Sequence, residues 1–214
     1  MHTEFAPRRH DFVWLASDTV AQDENVLAVQ WFERGLPAVV ARGDSPLRSD
    51  ELNLGVSLSV EQGRSRVALK APLASIQRIA PPPRLRDVAE SAPVAWCAAF
   101  RELVRRAVDI GVEFRVYGSF AWEHLTKLRY VLDSSDVDLL WAPSSHRQLE
   151  SGLILLSSWE SAWGLKADGE IVLPDGVSIA WRELLTAPVR VLVKHSAHVS
   201  LLDRTAALAN LSET

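Results

Sequence analysis

The chain has 214 residues, 48% of them hydrophobic, with a formal net charge of −4 and a single cysteine. That apolar content is enough for a buried core and excludes disorder as the main state. Cys97 alone excludes an internal disulfide framework and a Cys-rich zinc site, and the scattered Lys and Arg leave no electrostatic footprint for duplex nucleic acid. No stretch reaches the roughly 18 apolar residues of a membrane span, and Met1 to Arg9 lacks a secretory apolar run. A cytoplasmic protein with neither nucleic acid nor membrane as partner is expected.

In chain order, β-rich runs at residues 12–15, 38–41, 54–60 and 66–70 alternate with turn residues, and a helix is predicted at 25–33, stopped by Gly35. Pro81-Pro82-Pro83 cannot donate backbone hydrogen bonds and favours extended chain. The boundary is therefore placed there, giving a small β-rich N-terminal domain (1–80), a Pro-rich linker (81–90) and a second domain (91–214). The predicted class is α+β, the second domain combining a mixed sheet with helices.

Beyond the linker, Cys97, Phe100, Val104, Ala107 and Val108 recur at helical spacing between Pro93 and Gly111. Arg101, Arg105 and Arg106 on the other face read as solvated. Val112, Phe114 and Val116 then alternate with Glu113, Arg115 and Tyr117, predicting a strand that runs into Gly118-Ser119. A helix at 121–129 follows, and a turn at Asp133-Ser134-Ser135 leads to a strand at 136–141. A helix at about 145–158 comes next, then a hairpin whose arms, 169–173 and 177–181, flank Pro174-Asp175-Gly176. A strand at 189–193 and a short helix near 203–211 complete the prediction.

The unit strand, Gly-Ser turn, helix, strand carries the chemistry. In a strand, residues two apart point the same way, so Asp136 and Asp138 project together while Val137 and Leu139 pack on the opposite side. Two such carboxylates suit Mg²⁺ or Mn²⁺, which aligns and neutralises a nucleoside-triphosphate-like donor during phosphoryl transfer. Gly118 lets the backbone approach the phosphates, Ser119 adds a hydroxyl donor, and the helix that follows directs free N–H groups at them. Sixteen residues lie between Ser119 and Asp136, enough for a helix and a turn to return the chain beside the first strand. The metal-dependent nucleotidyltransferase site is thus predicted from Gly118, Ser119, Asp136 and Asp138.

A third acid, as metal ligand or general base, should stand on a later strand. Asp168, Glu170 and Asp175 are the candidates, and Glu170 is preferred because the other two occupy turn contexts. Lys194 either counters the leaving pyrophosphate or is a surface lysine at a strand end. The histidines show no spacing that demands zinc.

Arg115-Val116-Tyr117-Gly118-Ser119-Phe120-Ala121-Trp122 together with Asp133 to Leu140 resembles the phosphoribosyl-dephospho-CoA transferases of malonate decarboxylase systems. Arg8-Arg9-His10-Asp11, the run Asp168 to Gly176 and Ala180 to Leu184 are similar to that family too, in matching order over nearly the whole chain. The resemblance implies a polymerase-β-like nucleotidyltransferase domain whose donor is triphosphoribosyl-dephospho-CoA. It implies as acceptor a serine of the apo acyl-carrier subunit of malonate decarboxylase, with pyrophosphate as leaving group, Asp136 and Asp138 on Mg²⁺, and Gly118 and Ser119 on the triphosphate. Arg8-Arg9-His10-Asp11 is either a reach toward the donor's phosphates or a docking surface. Two other readings of the chain stay open: an ATP-dependent nucleotidyltransferase acting on a small molecule or protein side chain, and a non-catalytic adaptor that binds the carrier.

Overall fold

A computed structural model of the chain describes residues 7–16, 26–42, 48–195 and 198–213. It is an α+β protein built on two sheets, and it divides into two compact units: Met1–Pro82 with Trp122–Tyr130, and Pro83–Ala121 with Val131–Thr214.

The first unit is an antiparallel sheet of β1 (Phe12–Leu15), β2 (Ala38–Val40), β3 (Glu51–Ser57), β4 (Arg66–Pro72) and β5 (Ile76–Ala80), in the order β4-β3-β2-β1-β5. Helix α1 (Val26–Glu33) connects β1 to β2. Asn25, the expected first residue of that helix, lies outside the described residues. Strand β3 runs three residues earlier than the 54–60 expected, because Ser59, Gln62 and Gly63 form a turn closed by Ser59 N–H on Gln62 Oε1 at 3.1 Å. The sequence does not announce strand β5, because its apolar residues Ile76, Ile79 and Ala80 do not alternate. It pairs with β1 across a register shift between Trp14 and Leu15, and Arg78 lies over the Trp14 ring, 3.4 Å from its centroid. Phe12, Trp31, Leu54 and Val56 are buried in this unit. Trp122 joins them, its ring 5.3 Å from Phe12 and 5.9 Å from Trp31.

The second unit contains α2 (Leu85–Val88), α3 (Val94–Asp109), β6 (Arg115–Val116), the first turn of α4 (Gly118–Thr126), β7 (Val137–Trp141) and α5 (His146–Trp163). After these come β8 (Ala167–Val172), β9 (Ser178–Ala180), α6 (Trp181–Leu185), β10 (Arg190–Lys194), β11 (Val199–Asp203) and α7 (Arg204–Leu208). Leu85 and Val88 are buried, so the stretch after Pro83 packs as part of this unit rather than acting as a spacer. The sheet runs β11-β10-β9-β8-β7-β6; only β7 and β8 are parallel, and α5 is the crossover a parallel pair requires.

Alternation decides what each face of this sheet does. Val137, Leu139, Ile171, Ile179, Val191 and Val193 have no exposed surface. Trp141 continues that face of β7 and receives Gly152 of α5 so closely that a Cβ there would lie 2.2 Å from the indole. Helices α3 and α5 pack together, with Trp159 Nε1 donating to Ala99 O at 2.8 Å and the Trp159 and Phe100 rings 6.1 Å apart. Burying Phe100 alone contributes about 1.5 to 3 kcal/mol. Ser145 caps α5 by accepting from Gln148 N–H at 3.2 Å, and the helix runs on past residue 158 to Trp163. The α3 arginines are occupied: Arg101 by Glu90, Arg105 by Asp109, and Arg106 by Ser158 Oγ at 2.9 Å. Among the described residues no helix is long and apolar enough to cross a membrane.

Candidate active site

The odd positions of β7 are committed to the core, so Asp136 and Asp138 face the other side of the sheet. Strand β6 leads through Tyr117, whose N–H donates to Asp138 O at 3.0 Å, into the left-handed turn of Gly118, φ +63°. A Cβ on Gly118 would lie 1.7 Å from Asp138 Oδ2 and 2.6 Å from its Cγ. The Asp138 carboxylate therefore occupies the space a side chain would fill, at the start of α4 and next to half-buried Ser119. The expected Gly-Ser turn before the helix is its first two residues, and the leading N–H groups of that helix lack intrahelical partners.

The parallel register sets Asp168 of β8 directly opposite Asp138. Asp136, Asp138 and Asp168 each offer a carboxylate oxygen, and these oxygens all lie within 4.8 Å of one another. Asp168 is oriented by Gly169 N–H, which donates to its Oδ1 at 2.7 Å. Gly169 has φ +141°, and a Cβ there would lie 1.8 Å from Leu139 O, so the two strands close up beside the acids only because this residue is glycine. Two unit charges at this separation repel by about 1 kcal/mol in bulk water and by more at a protein surface. An all-oxygen donor set of this kind fits a hard divalent cation.

Glu170, the acid preferred from the sequence, stands two residues further along the same face of β8, but its side chain is only 4% exposed. Its carboxylate accepts from Ser178 Oγ at 2.8 Å and from Lys194 Nζ at 2.6 Å. The structure thus brings Asp168, not Glu170, to the aspartate pair, and it commits Lys194 to Glu170 rather than to an incoming phosphate. The turn context that the sequence suggests for Asp168 is not realised, because the hairpin turn is formed by Leu173, Asp175 and Gly176, and β8 already begins at Ala167. Asp175 does sit in that turn, accepting from Val177 N–H at 3.3 Å.

Arg8-Arg9-His10-Asp11 lies in the first unit and forms a tight turn. Buried Asp11 accepts from Arg8 N–H at 2.8 Å, Asp11 N–H donates to Arg8 O, and His10 takes φ +75°. Val40 N–H then donates to Asp11 O at 2.8 Å, tying the turn to β2.

Residues 8–82 match the family described as Phosphoribosyl-dephospho-CoA transferase MdcG N-terminal domain, and residues 84–205 match the MdcG C-terminal domain. A phosphoribosyl-dephospho-CoA transferase of Xanthomonas campestris pv. campestris (strain 8004) is 42% identical over 202 residues, covering 92% of this chain and 95% of the relative. The chain belongs to the phosphoribosyl-dephospho-CoA transferase family. A second member, from Bradyrhizobium diazoefficiens, is 32% identical over 213 residues, 95% of this chain and 93% of the relative. No solved structure matches. As a transferase of this family, the protein carries Gly118, Ser119, Asp136, Asp138 and Asp168 all within the region matched to the C-terminal domain.

Proposed function

We propose that this transferase moves the phosphoribosyl-dephospho-CoA group from its triphosphate precursor to a serine hydroxyl of the apo acyl-carrier subunit of malonate decarboxylase. The observation that carries the reading is the Asp138 carboxylate seated on bare Gly118 at the head of α4, with Asp136 and Asp168 beside it. Family membership supports the donor, and the polymerase-β-like arrangement of a Gly-Ser helix start beside paired aspartates supports the chemistry.

Asp136, Asp138 and Asp168 would hold Mg²⁺ or Mn²⁺, which supplies neutralisation of the triphosphate when bound. Gly118 admits the Asp138 carboxylate against its Cα, and Ser119 Oγ with the leading N–H groups of α4 would orient the phosphates beside it. The serine oxygen of the carrier attacks the α-phosphorus. The bond from that phosphorus to the bridging oxygen breaks, and pyrophosphate leaves with the electron pair. Exposed Asp168 takes the hydroxyl proton, a role closed to Glu170 by its burial under Lys194.

The test mixes the purified protein with donor, Mg²⁺ and apo carrier and follows the carrier by mass spectrometry. A mass increase equal to the prosthetic group, with release of pyrophosphate, is expected. Asp136→Asn, Asp138→Asn and Asp168→Asn should each slow transfer by about a hundredfold or more, the scale of losing one electrostatic stabiliser. An unmodified carrier with both Mg²⁺ and Mn²⁺ rejects the reading. Pyrophosphate release from ATP and a small hydroxyl compound would redirect it to a different acceptor, and carrier binding without turnover to an adaptor.

A further inference from the structure

Beside the acids runs an open groove whose lining includes Asp136, Asp168, Glu160, Leu165, Lys166 and Arg182. Its cations differ in what they already hold. Arg182 is clamped, its guanidinium on both oxygens of Glu160 and on Ala167 O at 2.7 Å. Lys194, on the same sheet face, is bound to Glu170. Lys166 is exposed, and its ammonium has no hydrogen-bond or ion-pair partner among the described residues.

The backbone fixes where Lys166 sits. Val137 N–H donates to Lys166 O at 2.8 Å, and the register Val137↔Ala167 and Asp138↔Asp168, extended by one pair, sets Lys166 opposite Asp136. Ala167 is fully buried, so alternation puts Lys166 on the face of Asp168, two residues away. A cation at that position lines the same groove as Asp136 and Asp168 and is ion-paired with neither.

We infer that Lys166 is the countercharge for the pyrophosphate end of the donor's triphosphate, which would place that end in this groove; the inference rests on the transfer reaction proposed above. As the bond between the α-phosphorus and the bridging oxygen breaks, the electron pair stays on the departing pyrophosphate. Its charge exceeds what one divalent cation offsets, and a lysine ammonium is a compact point charge suited to the remainder.

Calorimetry with pyrophosphate as the probe, in the presence of Mn²⁺, tests this on the full chain. Lys166→Gln should weaken pyrophosphate binding by about ten- to a hundredfold, the scale of losing one hydrogen bond to a charged group. Lys166→Arg should stay close to wild type, and Mn²⁺ affinity measured alone should be the same in all three proteins, which shows that the acids are undisturbed. Equal pyrophosphate affinity in wild type and Lys166→Gln overturns the inference, as does absence of pyrophosphate binding by the wild type. The two readings fail separately. A wild type that modifies the carrier while Lys166→Gln binds pyrophosphate normally sinks only the role of Lys166, and a Lys166-dependent pyrophosphate site in a protein that modifies no carrier sinks only the transfer reaction.

Discussion

The side chain that matters most at position 118 is the one that is missing. Gly118 combines a left-handed backbone with a Cα against which the Asp138 carboxylate rests, so alanine there meets two obstacles at once. The first, strain at φ +63°, costs on the order of 1 kcal/mol. The second cannot relax without consequence, because the atom 1.7 Å from the new methyl is an Asp138 oxygen that belongs to the acid trio. Gly118→Ala is therefore expected to fold with slightly reduced stability while losing both Mn²⁺ affinity and transfer activity. Thermal unfolding alongside a Mn²⁺ titration separates the two effects; a variant that binds Mn²⁺ like the wild type shows that the contact is mere packing.

Within a single strand, β8, two acids two residues apart meet different fates. Asp168 stays exposed opposite Asp138, whereas Glu170, opposite Leu140, is enclosed by Ser178 and Lys194. Removing the charge of Glu170 strands the Lys194 ammonium, whose side chain is 25% exposed, and a broken ion pair of this kind costs about 1 to 3 kcal/mol. Glu170→Gln should thus lower the urea midpoint while keeping most transfer activity at a temperature where it is folded, the opposite of Asp168→Asn. Equal inactivity of the two folded variants contradicts that division of labour. The difference also marks what was legible from sequence. Asp136-Val137-Asp138 and the Gly-Ser helix start depend on local periodicity and could be read directly. Choosing Asp168 over Glu170 required the register between β7 and β8, which is set across the whole of α5 and leaves no local trace. The same holds for β11, whose Val199, Leu201 and Leu202 stay exposed at the edge of its sheet, so that no alternation announces the strand.

At the scale of the whole molecule, the chain does not divide cleanly at its prolines, because the first unit is completed by Trp122–Tyr130. Helix α4 begins with Gly118 and Ser119 in the second unit and carries Trp122 in the core of the first. Trp122 stacks on Tyr130 at 6.1 Å and meets Phe12 and Trp31 edge-on. Tyr130 in turn donates its hydroxyl to Ser57 O at 2.8 Å, and burial pushes its phenol up to about 12, so this donor keeps its proton throughout the neutral range. Replacing Trp122 by alanine removes the ring on which three aromatic contacts converge, a loss of about 3 to 5 kcal/mol for a buried tryptophan. Trp122→Ala should consequently shift urea unfolding to lower concentration, with the Tyr130 environment lost in the first transition. Mn²⁺ affinity should change little, since Asp136, just before β7, Asp138 on β7 and Asp168 on β8 all belong to the second unit. A variant with wild-type stability would show that the first unit holds together without its borrowed segment.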